Sequence, residues 1–431
     1  MNLKTKLHRL PAIANPPAAV SRLEPPVQSR ALGELRAKLD QLLAKHAPPS
    51  QPSNGNTSSR PLPMGRFEHR DGYLLRRLQR WPSSDLSERH WVGMARQAAP
   101  ELLSLLALDP SLSRLDPGSA LYLDTETTGL GGGAGVLAFL VGVAWFEGDH
   151  LALEQWLLED PAQEGAMLSL LEERLARASL LVTFNGKSFD WPLLAGRYVM
   201  NRRPVPSLPP HLDLLHVARR LHRARIGSVN LRRVEREVLG FDRGPDLSGA
   251  DIAPRYWHFL RTGEGQCLSE VVEHNATDVL SMVAMVGLYG EPLDHLCDVD
   301  LIALGRTLAR AGALDEAMDA AELALGRTGA TAARRAAADI AKARGDRGRA
   351  LREFEFLASE LDDPEVRLEL VKLYEHYVKR PALALQVLAK GTGEPPELAE
   401  KRRRRLEARQ RRQDASTGSG KSSRDRAPSR G

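Results

Sequence analysis

Short apolar runs bounded by turn residues predict a sheet in the middle of the chain, with helices between and after the strands. The predicted strands share a buried, β-branched or aromatic character and lie at residues 120–124, 136–146, 151–158 and 180–184. The predicted helices carry apolar residues at helical spacing and lie at residues 163–178, 189–200, 211–222, 231–239 and 268–289. This order of elements predicts an α/β domain over residues 119–292, whose mixed sheet is flanked by helices.

The pattern changes to alanine- and leucine-rich helices over residues 300–395, where an internal repeat appears. The segment 312–318 aligns with 345–351 at an offset of 33, and the dipeptide at 350–351 recurs at 384–385 at an offset of 34. A period near 34 with glycine at the turn between helices is typical of tetratricopeptide-like repeats. We therefore predict an all-α domain of two or three stacked helical pairs, which is either a protein-docking surface or a stabilising appendage.

The two ends of the chain differ in composition from the part between them. Residues 1–60 contain eight prolines and predict a mostly disordered segment, and residues 61–118 are interpreted as an N-terminal extension of the α/β domain. Residues 401–431 contain twelve Lys/Arg and three Asp/Glu, so this segment carries a charge of +9 while the whole chain carries +5. We predict a basic disordered tail that either tethers the protein to nucleic-acid phosphates or serves only solubility.

Composition excludes several classes of protein. The chain of 431 residues is 42% hydrophobic and 27% charged, which is ordinary for a core-forming protein of two or three domains. It contains no apolar run of membrane-spanning length and no pattern of a secretory signal, so we expect no association with a membrane. Its two cysteines, Cys267 and Cys297, are too few for a disulfide framework or a four-cysteine zinc site, which favours a cytoplasmic protein.

Acidic residues occur at three places where predicted elements begin, end or expose a face. Asp124 and Glu126 are two residues apart at the end of the first strand, so their side chains share one side of the chain. Two buried carboxylates call for a neutralising cation, and hard oxygen ligands suit Mg²⁺ or Mn²⁺. Asp190 opens a helix, and His274 and Asp278 are four residues apart on one helix face. Taken alone, each place is at least as typical of a strand end, a helix cap or a surface pair.

In combination these residues resemble the motifs of the DnaQ-like (DEDD) 3′→5′ exonuclease superfamily, which has the ribonuclease H fold. The sequence Asp-Thr-Glu-Thr-Thr-Gly-Leu at 124–130 resembles the first motif of that superfamily. The segments 185–190 and 274–279 are similar to those of its YprB-type branch, whose members often carry tetratricopeptide repeats after the catalytic domain. The resemblance covers residues 65–395 and implies a ribonuclease H-like fold for the α/β domain.

The resemblance implies a two-metal site that hydrolyses phosphodiester bonds from a 3′ end. The implied ligands of two Mg²⁺ or Mn²⁺ ions are Asp124, Glu126, Asp190 and Asp278, and the implied base that orients or deprotonates water is His274. The positions implied to contact the substrate are Thr127, Leu130, Asn185 and Lys187. One departure concerns the base. The histidine subgroup has His five residues before the last Asp, where this chain has Glu273, and His274 takes the position of the tyrosine subgroup.

The resemblance also implies a biological setting, beside which two alternatives stay open. It implies DNA as the substrate, DNA repair as the process and a protein partner such as a helicase at the helical repeats. The alternatives are an RNA-processing exoribonuclease and a catalytically silent nucleic-acid-binding scaffold. A phosphate-binding loop at 129–135 is excluded because a strand, and not a helix, is predicted to follow it. A Ser/His/Asp hydrolase is not indicated because the chain has no Gly-x-Ser-x-Gly segment.

Overall fold

A mixed sheet of seven strands lies at the centre of the α/β part in the computed structural model, which describes residues 62–82, 90–129, 135–244 and 247–419. In chain order the strands are β1 Gly65–His69, β2 Gly72–Pro82, β3 Ala120–Thr127, β4 Ala138–Glu147, β5 His150–Leu157, β6 Leu180–Thr183 and β7 His211–Asp213. Across the sheet their order is β1-β2-β5-β4-β3-β6-β7. β3 pairs with β4 in antiparallel and with β6 in parallel orientation, so it lies where the two halves of the sheet meet.

The fold class predicted from the sequence pattern is confirmed. The four predicted strands are present as β3, β4, β5 and β6, and helices flank the sheet. β3 is longer than predicted and ends at Thr127, so both Asp124 and Glu126 lie inside a strand. Strand geometry therefore holds these two carboxylates on one face of the sheet.

The sequence pattern does not predict three of the strands. β2 is rich in arginine, so it lacks the apolar alternation by which a strand is recognised in a sequence. The sheet tolerates these charges because they are neutralised inside it. Arg76 forms an ion pair of 2.5 Å with buried Glu154 of β5, and its guanidinium lies 4.3 Å from the ring centre of Phe67 on β1. β7 takes the first three residues of the helix predicted at 211–222, since Asp213 caps that helix by accepting from the Leu215 amide at 3.1 Å.

Helices flank the sheet, and the described residues after β7 are helical without further strands. They are α1 His90–Met94, α2 Pro100–Ala107, α3 Glu164–Leu175, α4 Asp190–Met200, α5 Leu214–Ile226, α6 Leu231–Val234, α7 Gly249–Thr262, α8 Ser269–Tyr289, α9 Asp298–Ala311, α10 Leu314–Thr328, α11 Thr331–Arg344, α12 Arg347–Glu360, α13 Pro364–Leu373, α14 Pro381–Leu388 and α15 Pro396–Ser419. A π-helical turn at Glu235–Leu239 follows α6. α8 packs against β3 and β4 through a buried face that includes Val272, Ala276 and Val279.

Three pairs of helices recur at a constant spacing after the sheet. Their first members, α9, α11 and α13, begin 33 residues apart, at Asp298, Thr331 and Pro364. Gly312 and Gly345 end two of these helices with left-handed backbone, at φ 87° and 83°, which glycine adopts without strain. The helical character of this part is therefore confirmed, while its assignment to the tetratricopeptide class stays a prediction.

Packing is continuous across the domain boundary predicted between residues 292 and 300. Apolar residues of α5 and α9 belong to one buried core, and the described residues form one compact unit. At this contact His222 Nδ1 lies 2.8 Å from Asp300 Oδ2, and His222 Nε2 lies 3.1 Å from the Tyr289 hydroxyl. All three side chains are buried, so the α/β part and the helical part each complete the polar contacts of the other.

The basic C-terminal segment is helical up to residue 419, where the sequence predicts a disordered tail over 401–431. That prediction is wrong for residues 401–419, which belong to α15, and residues 420–431 lie outside the described ranges. Leu406 is buried in a small apolar cluster, and the buried carboxylate of Glu375 accepts hydrogen bonds from Arg402 and Arg405. Part of the positive charge therefore docks the helix, which composition alone does not reveal.

The N-terminal predictions have separate outcomes. Residues 61–118, interpreted as an extension, supply β1 and β2 to the sheet and α1 and α2 beside it. The disorder predicted for residues 1–60 falls outside the described ranges, as does Leu130. In the part of the chain that is described, every helix is too short or too polar to cross a membrane.

Replacing the Glu375 carboxylate by an amide is expected to loosen α15. Glu375→Gln removes the charge that Arg402, Arg405 and Arg409 approach, and a hydrogen bond to a charged group contributes roughly 1.5–3 kcal/mol. Hydrogen–deuterium exchange of α15 amides should then be about tenfold faster or more. The matched control is Glu400→Gln, whose half-exposed side chain pairs with Arg403 and Arg404. Equal exchange in the two variants would contradict this role of Glu375.

Candidate active site

The candidate site is built around β3, the strand at the centre of the sheet. Asp124 lies opposite Gly142 of β4 in the strand register, and Glu126 follows two residues later, next to a register shift between Glu126 and Thr127. Both carboxylates are at most partly exposed, and Glu126 is 8% exposed. The register brings them under α8, which crosses β3 and β4.

A buried amide fixes α8 over these strands. Asn275 Nδ2 donates to Asp124 Oδ2 at 2.8 Å, and Asn275 Oδ1 accepts from Gln155 Nε2 at 2.9 Å. Gln155 also donates to the Val272 carbonyl at 2.7 Å. The amide fits because position 142 is glycine: a Cβ atom there would lie 2.1 Å from Asn275 Oδ1. This contact sets the rotation and height of α8 above Asp124.

Asp190 reaches the site from the turn that follows β6. Asp213 holds the turn, because its carboxylate accepts from the backbone amides of Asn185 at 2.8 Å and of Lys187 at 3.1 Å. Gly186 lets the turn close, since a Cβ atom there would lie 2.5 Å from Thr183. Asp190 begins α4, and its Oδ1 accepts from Thr125 Oγ1 of β3 at 2.5 Å. That hydrogen bond joins the third carboxylate to the central strand.

His274 and Asp278 face β3 from α8. His274 Nε2 lies 3.5 Å from Asp278 Oδ2, one helical turn away, and 3.9 Å from Glu126 Oε1. The exposed fractions of the His274 and Asp278 side chains are 15% and 17%, so both are open to solvent at one edge. The helix spacing predicted from the sequence therefore places both side chains beside the carboxylates of β3.

An arginine from the loop before α7 enters the carboxylate cluster. Arg243 Nη2 lies 2.7 Å from Asp278 Oδ1, and Arg243 Nη1 lies 3.5 Å from His274 Nδ1. The contact with Asp278 is an ion pair without hydrogen-bond alignment, since Asp278 Oδ1 is buried and has no aligned donor among the described residues. On its other side Arg243 pairs with Glu235, whose carboxylate also accepts from Ser281 Oγ at 2.5 Å. The guanidinium thus divides its charge between two acids.

The pKa values of three acids in the cluster are raised, chiefly by burial. Burial, followed by the nearby carboxylates of Asp278 and Asp190, raises the pKa of Asp124 well above its usual range. Burial raises the pKa of Asp190 to about 6, while the hydrogen bond from Thr125 opposes the shift. Burial also raises the pKa of Asp278, against the lowering effects of His274 and Arg243. The cluster carries more negative charge than Arg243 can balance.

The chemistry of this cluster suits a divalent cation. Four carboxylates from three elements are hard oxygen donors of the kind that Mg²⁺ and Mn²⁺ prefer, and they carry uncompensated charge. Among the described residues, however, no three or more His, Cys, Asp or Glu side chains stand in a metal-ligating arrangement. Asp124 instead accepts a hydrogen bond from Asn275, Asp190 accepts one from Thr125, and Asp278 pairs with Arg243. The carboxylates that could hold such a cation are Asp124, Glu126, Asp190 and Asp278.

The residues predicted to contact substrate have different positions. Thr127 Oγ1 donates to the Gly129 carbonyl at 2.8 Å and closes the turn after β3. Asn185 adopts φ 71°, which is uncommon outside glycine, and lies in the turn before Asp190. The Lys187 side chain is exposed in that turn. Leu130 is outside the described residues, and substrate contact by these four positions stays a prediction.

Three residues of the site are not identified by the sequence reasoning. Asn275 stands between His274 and Asp278, so its place inside the same motif is a usable signal. Asp213 ends a short strand and begins a helix, a position that usually indicates only a cap. Arg243 lies 35 residues before Asp278, and nothing in its local sequence reveals the tertiary contact.

Comparisons with known proteins agree with the architecture. Residues 121–289 match the RNase_H_2 family of the RNase_H superfamily. A search of curated proteins finds the "Uncharacterized protein YprB" of Bacillus subtilis (strain 168), 38% identical over 227 residues, which are 51% of this chain and 54% of that protein. The fold is ribonuclease H-like. The chain spans about half the length of this curated relative, so the activity of the whole protein is taken up as a proposal below.

Among solved structures, the family B DNA polymerase from the hyperthermophilic archaeon Pyrobaculum calidifontis is similar in part. The likeness covers 48% of this chain and 28% of the polymerase, with 16% sequence identity and a TM-score of 0.32. A likeness at this level carries no argument about activity. The family match over residues 121–289 and the sheet order therefore stand as the basis for the fold.

Adding one methyl group at position 142 is expected to unseat Asn275. Gly142→Ala places a Cβ atom 2.1 Å from Asn275 Oδ1, and overpacking of this kind costs roughly 1–3 kcal/mol in the free energy of unfolding. Chemical denaturation measures the loss. Combining Gly142→Ala with Asn275→Ala should recover part of it, because the second change removes the clash. The control is Gly196→Ala, where no atom lies within 4 Å of the new Cβ. A loss in the control equal to that in Gly142→Ala would contradict the packing argument.

Removing the charge of Asp190 is expected to stabilise the metal-free protein in a pH-dependent way. Its pKa rises from 3.8 to about 6 on folding, so the ionised carboxylate lowers stability above pH 6 and has no such effect below pH 3.8. Asp190→Asn keeps the oxygen that accepts from Thr125 and should raise the free energy of unfolding by about 2–3 kcal/mol at pH 8. The gain should disappear as the pH falls through this window.

Denaturation in the presence of EDTA at a series of pH values measures this effect. The control Asp319→Asn changes an exposed aspartate on α10 and should show no pH-dependent gain. A gain in Asp190→Asn that is the same at pH 4 and pH 8 would mean that the charge is not the cause.

Proposed function

We propose that this protein is a DEDD-type nuclease, which hydrolyses phosphodiester bonds from the 3′ end of a nucleic-acid strand with two Mg²⁺ or Mn²⁺ ions. The observation that carries the proposal is the convergence of four carboxylates from β3, α4 and α8 beside His274. Carboxylates that repel one another in a buried place lower stability, so a cluster of this kind is typical of a cation-dependent active site.

The chemistry divides between the cation and the chain. Bound divalent cations would supply Lewis-acid activation of water and would stabilise the leaving oxygen. Asp124, Glu126, Asp190 and Asp278 would hold them, and Asn275 would keep Asp124 in place through its hydrogen bond of 2.8 Å. Thr125 would orient Asp190 in the same way. The exposed Lys187, in the turn before Asp190, would meet a phosphate of the strand.

The surroundings of His274 support the role proposed for it. Its Nδ1 faces the Arg243 guanidinium at 3.5 Å, and its Nε2 faces the carboxylates of Asp278 and Glu126. A neutral imidazole in this setting carries its proton on Nε2 and donates towards the acids. Once cations balance those acids, Nε2–H would orient the attacking water by donating to its oxygen, and His274 would take a proton from water only after its own proton had moved to Nδ1.

The substrate and setting are part of the same proposal. We propose DNA as the substrate, repair as the process, the cytoplasm as the compartment and a protein partner such as a helicase at the helical pairs. These assignments are supported by the likeness of the motifs at 124–130, 185–190 and 274–279 to those of the DnaQ-like superfamily. RNA belongs in the substrate series because the 2′-hydroxyl is the feature by which proteins distinguish the two sugars.

The decisive assay uses end-labelled single-stranded DNA, duplex DNA and RNA with Mn²⁺ or EDTA. We expect metal-dependent shortening from the 3′ end, lost by about 100-fold or more in Asp124→Asn and in Glu126→Gln. The control Glu270→Gln changes a largely exposed acid at the start of α8, where it pairs with Arg255, and should keep full activity. All variants should bind the substrate in EDTA, which separates chemistry from binding.

Each outcome of the assay distinguishes a proposal from its alternatives. Cleavage of RNA alone would replace the DNA assignment by an exoribonuclease. Binding without cleavage of any substrate, in the presence of Mn²⁺, would contradict the nuclease proposal and favour a nucleic-acid-binding scaffold. Cleavage that survives in Asp124→Asn would place the active site elsewhere.

A further inference from the structure

A cavity of about 520 Å³ opens beside the carboxylate cluster and is lined by four arginines. Arg232 and Arg233 belong to α6, Arg236 lies on the π-helical turn and Arg243 lies on the loop before α7. π-helical turns occur frequently at functional sites, because the extra residue reorients the side chains around it. The cavity therefore combines a high density of guanidinium groups with an unusual local backbone.

The charge on the cavity wall is not balanced by its own acids. The wall contains two acids, Glu235 and Asp242. Glu235 is buried and held by Arg243 and Ser281, and Asp242 accepts from the Gly244 amide at 2.9 Å. Four arginines face two acids on the wall itself, and the further acids that pair with them, Glu237 at Arg236 and Asp278 at Arg243, lie outside the lining. Arg233 Nε is also buried without a hydrogen-bond partner among the described residues. An anion with several oxygens would satisfy both features.

The surrounding sequence is basic as well. Residues 214–244 contain eight arginines and three Asp/Glu, a balance of +5. Two of the cavity arginines, Arg232 and Arg236, are exposed at its mouth. Arginine offers planar, bidentate hydrogen bonding that matches phosphate. Positive charge needed only for solubility could be carried by lysines anywhere on the surface. Here, in contrast, four arginines are concentrated around one cavity.

Arg243 links this cavity to the candidate active site. It lines the cavity, and its Nη2 lies 2.7 Å from Asp278 Oδ1. One side chain therefore contacts both the place where an anion is expected and a carboxylate proposed to hold the metal. A strand whose scissile bond lies at the carboxylates would pass this cavity with its neighbouring phosphates.

We infer that the arginine cavity binds backbone phosphates of the nucleic-acid strand, next to the bond that is cleaved. The inference rests on the proposed function and adds to it the path of the strand. Arg232 and Arg236 contact phosphate oxygens at the mouth, and Arg233 and Arg243 hold the inner part. The cavity contributes affinity and register without reading the bases.

The test uses the full chain with Arg232→Gln and Arg236→Gln combined. Both side chains are exposed, and their hydrogen bonds, to the Gly244 carbonyl and to Glu237, lie at the surface, so folding is retained and is checked by thermal denaturation. Binding of a fluorescent single-stranded DNA is measured in EDTA over a salt series. We expect about tenfold weaker binding and a salt slope smaller by about 1.4, because each phosphate contact on a single strand contributes about 0.7.

The control removes two exposed arginines from the helical part, Arg344→Gln with Arg347→Gln, and so causes the same change in net charge. An equal loss of affinity in the two double variants would overturn the inference. A nucleoside monophosphate is titrated in parallel. If it binds with the same dependence on Arg232 and Arg236 as the strand, the cavity takes a single nucleotide and the strand assignment is overturned.

The failure of the cavity and the failure of the proposed function are separated by a cleavage assay on the same preparations. Wild-type cleavage in Mn²⁺ with unchanged binding in the Arg232/Arg236 variant would support the nuclease proposal and contradict phosphate binding at the cavity. Loss of binding in that variant without any cleavage by the wild type would support strand binding at the cavity and contradict the nuclease proposal.

Discussion

The candidate site depends on one buried amide between the sheet and α8. Asn275 spans from Gln155 of β5 to Asp124 of β3 and occupies space that exists because Gly142 has no side chain. Apolar packing alone would allow α8 to slide or rotate, since hydrophobic contacts are not directional. The two hydrogen bonds remove that freedom and determine where the next turn of the helix places His274 and Asp278. The position of the catalytic candidates thus follows from a polar contact inside an otherwise apolar layer.

The site also shows how an unfavourable charge cluster is tolerated. Burial raises the pKa of both Asp124 and Asp278, and the nearby carboxylates of Asp278 and Asp190 add to the shift of Asp124, so the ionised cluster lowers the stability of the folded protein. The surrounding structure compensates by different means: an amide for Asp124, a hydroxyl for Asp190 and a guanidinium for Asp278. The guanidinium is itself anchored by buried Glu235. Binding of a cation would therefore compete with contacts already present, and the strength of those contacts sets the affinity for the metal.

The sequence predicts the elements whose signals are local. β3 to β6 are mostly apolar because both faces of the sheet are covered, and the spacings of two and four residues place Asp124 with Glu126 and His274 with Asp278. β2 is hidden because Arg76 and Arg77 pair with Glu154 and Glu273, which lie far away in sequence. The helix over 401–419 is hidden for the same reason, since Glu375 balances part of its charge. Arg243 and its cavity require a tertiary contact that no local pattern encodes.

The shared core at His222 has a consequence for modularity. The chain contains an α/β part and a set of repeated helical pairs, an arrangement that invites the idea of a catalytic module carrying a detachable docking module. A fragment ending at Tyr289 would nevertheless lose Asp300, the acid that pairs with buried His222, together with the apolar face of α9 that covers α5. Since Asp213, whose carboxylate shapes the turn before Asp190, caps the first turn of α5, we expect the damage to extend to the carboxylate cluster. The two parts therefore share one core, and we expect neither to keep its packing when the other is removed.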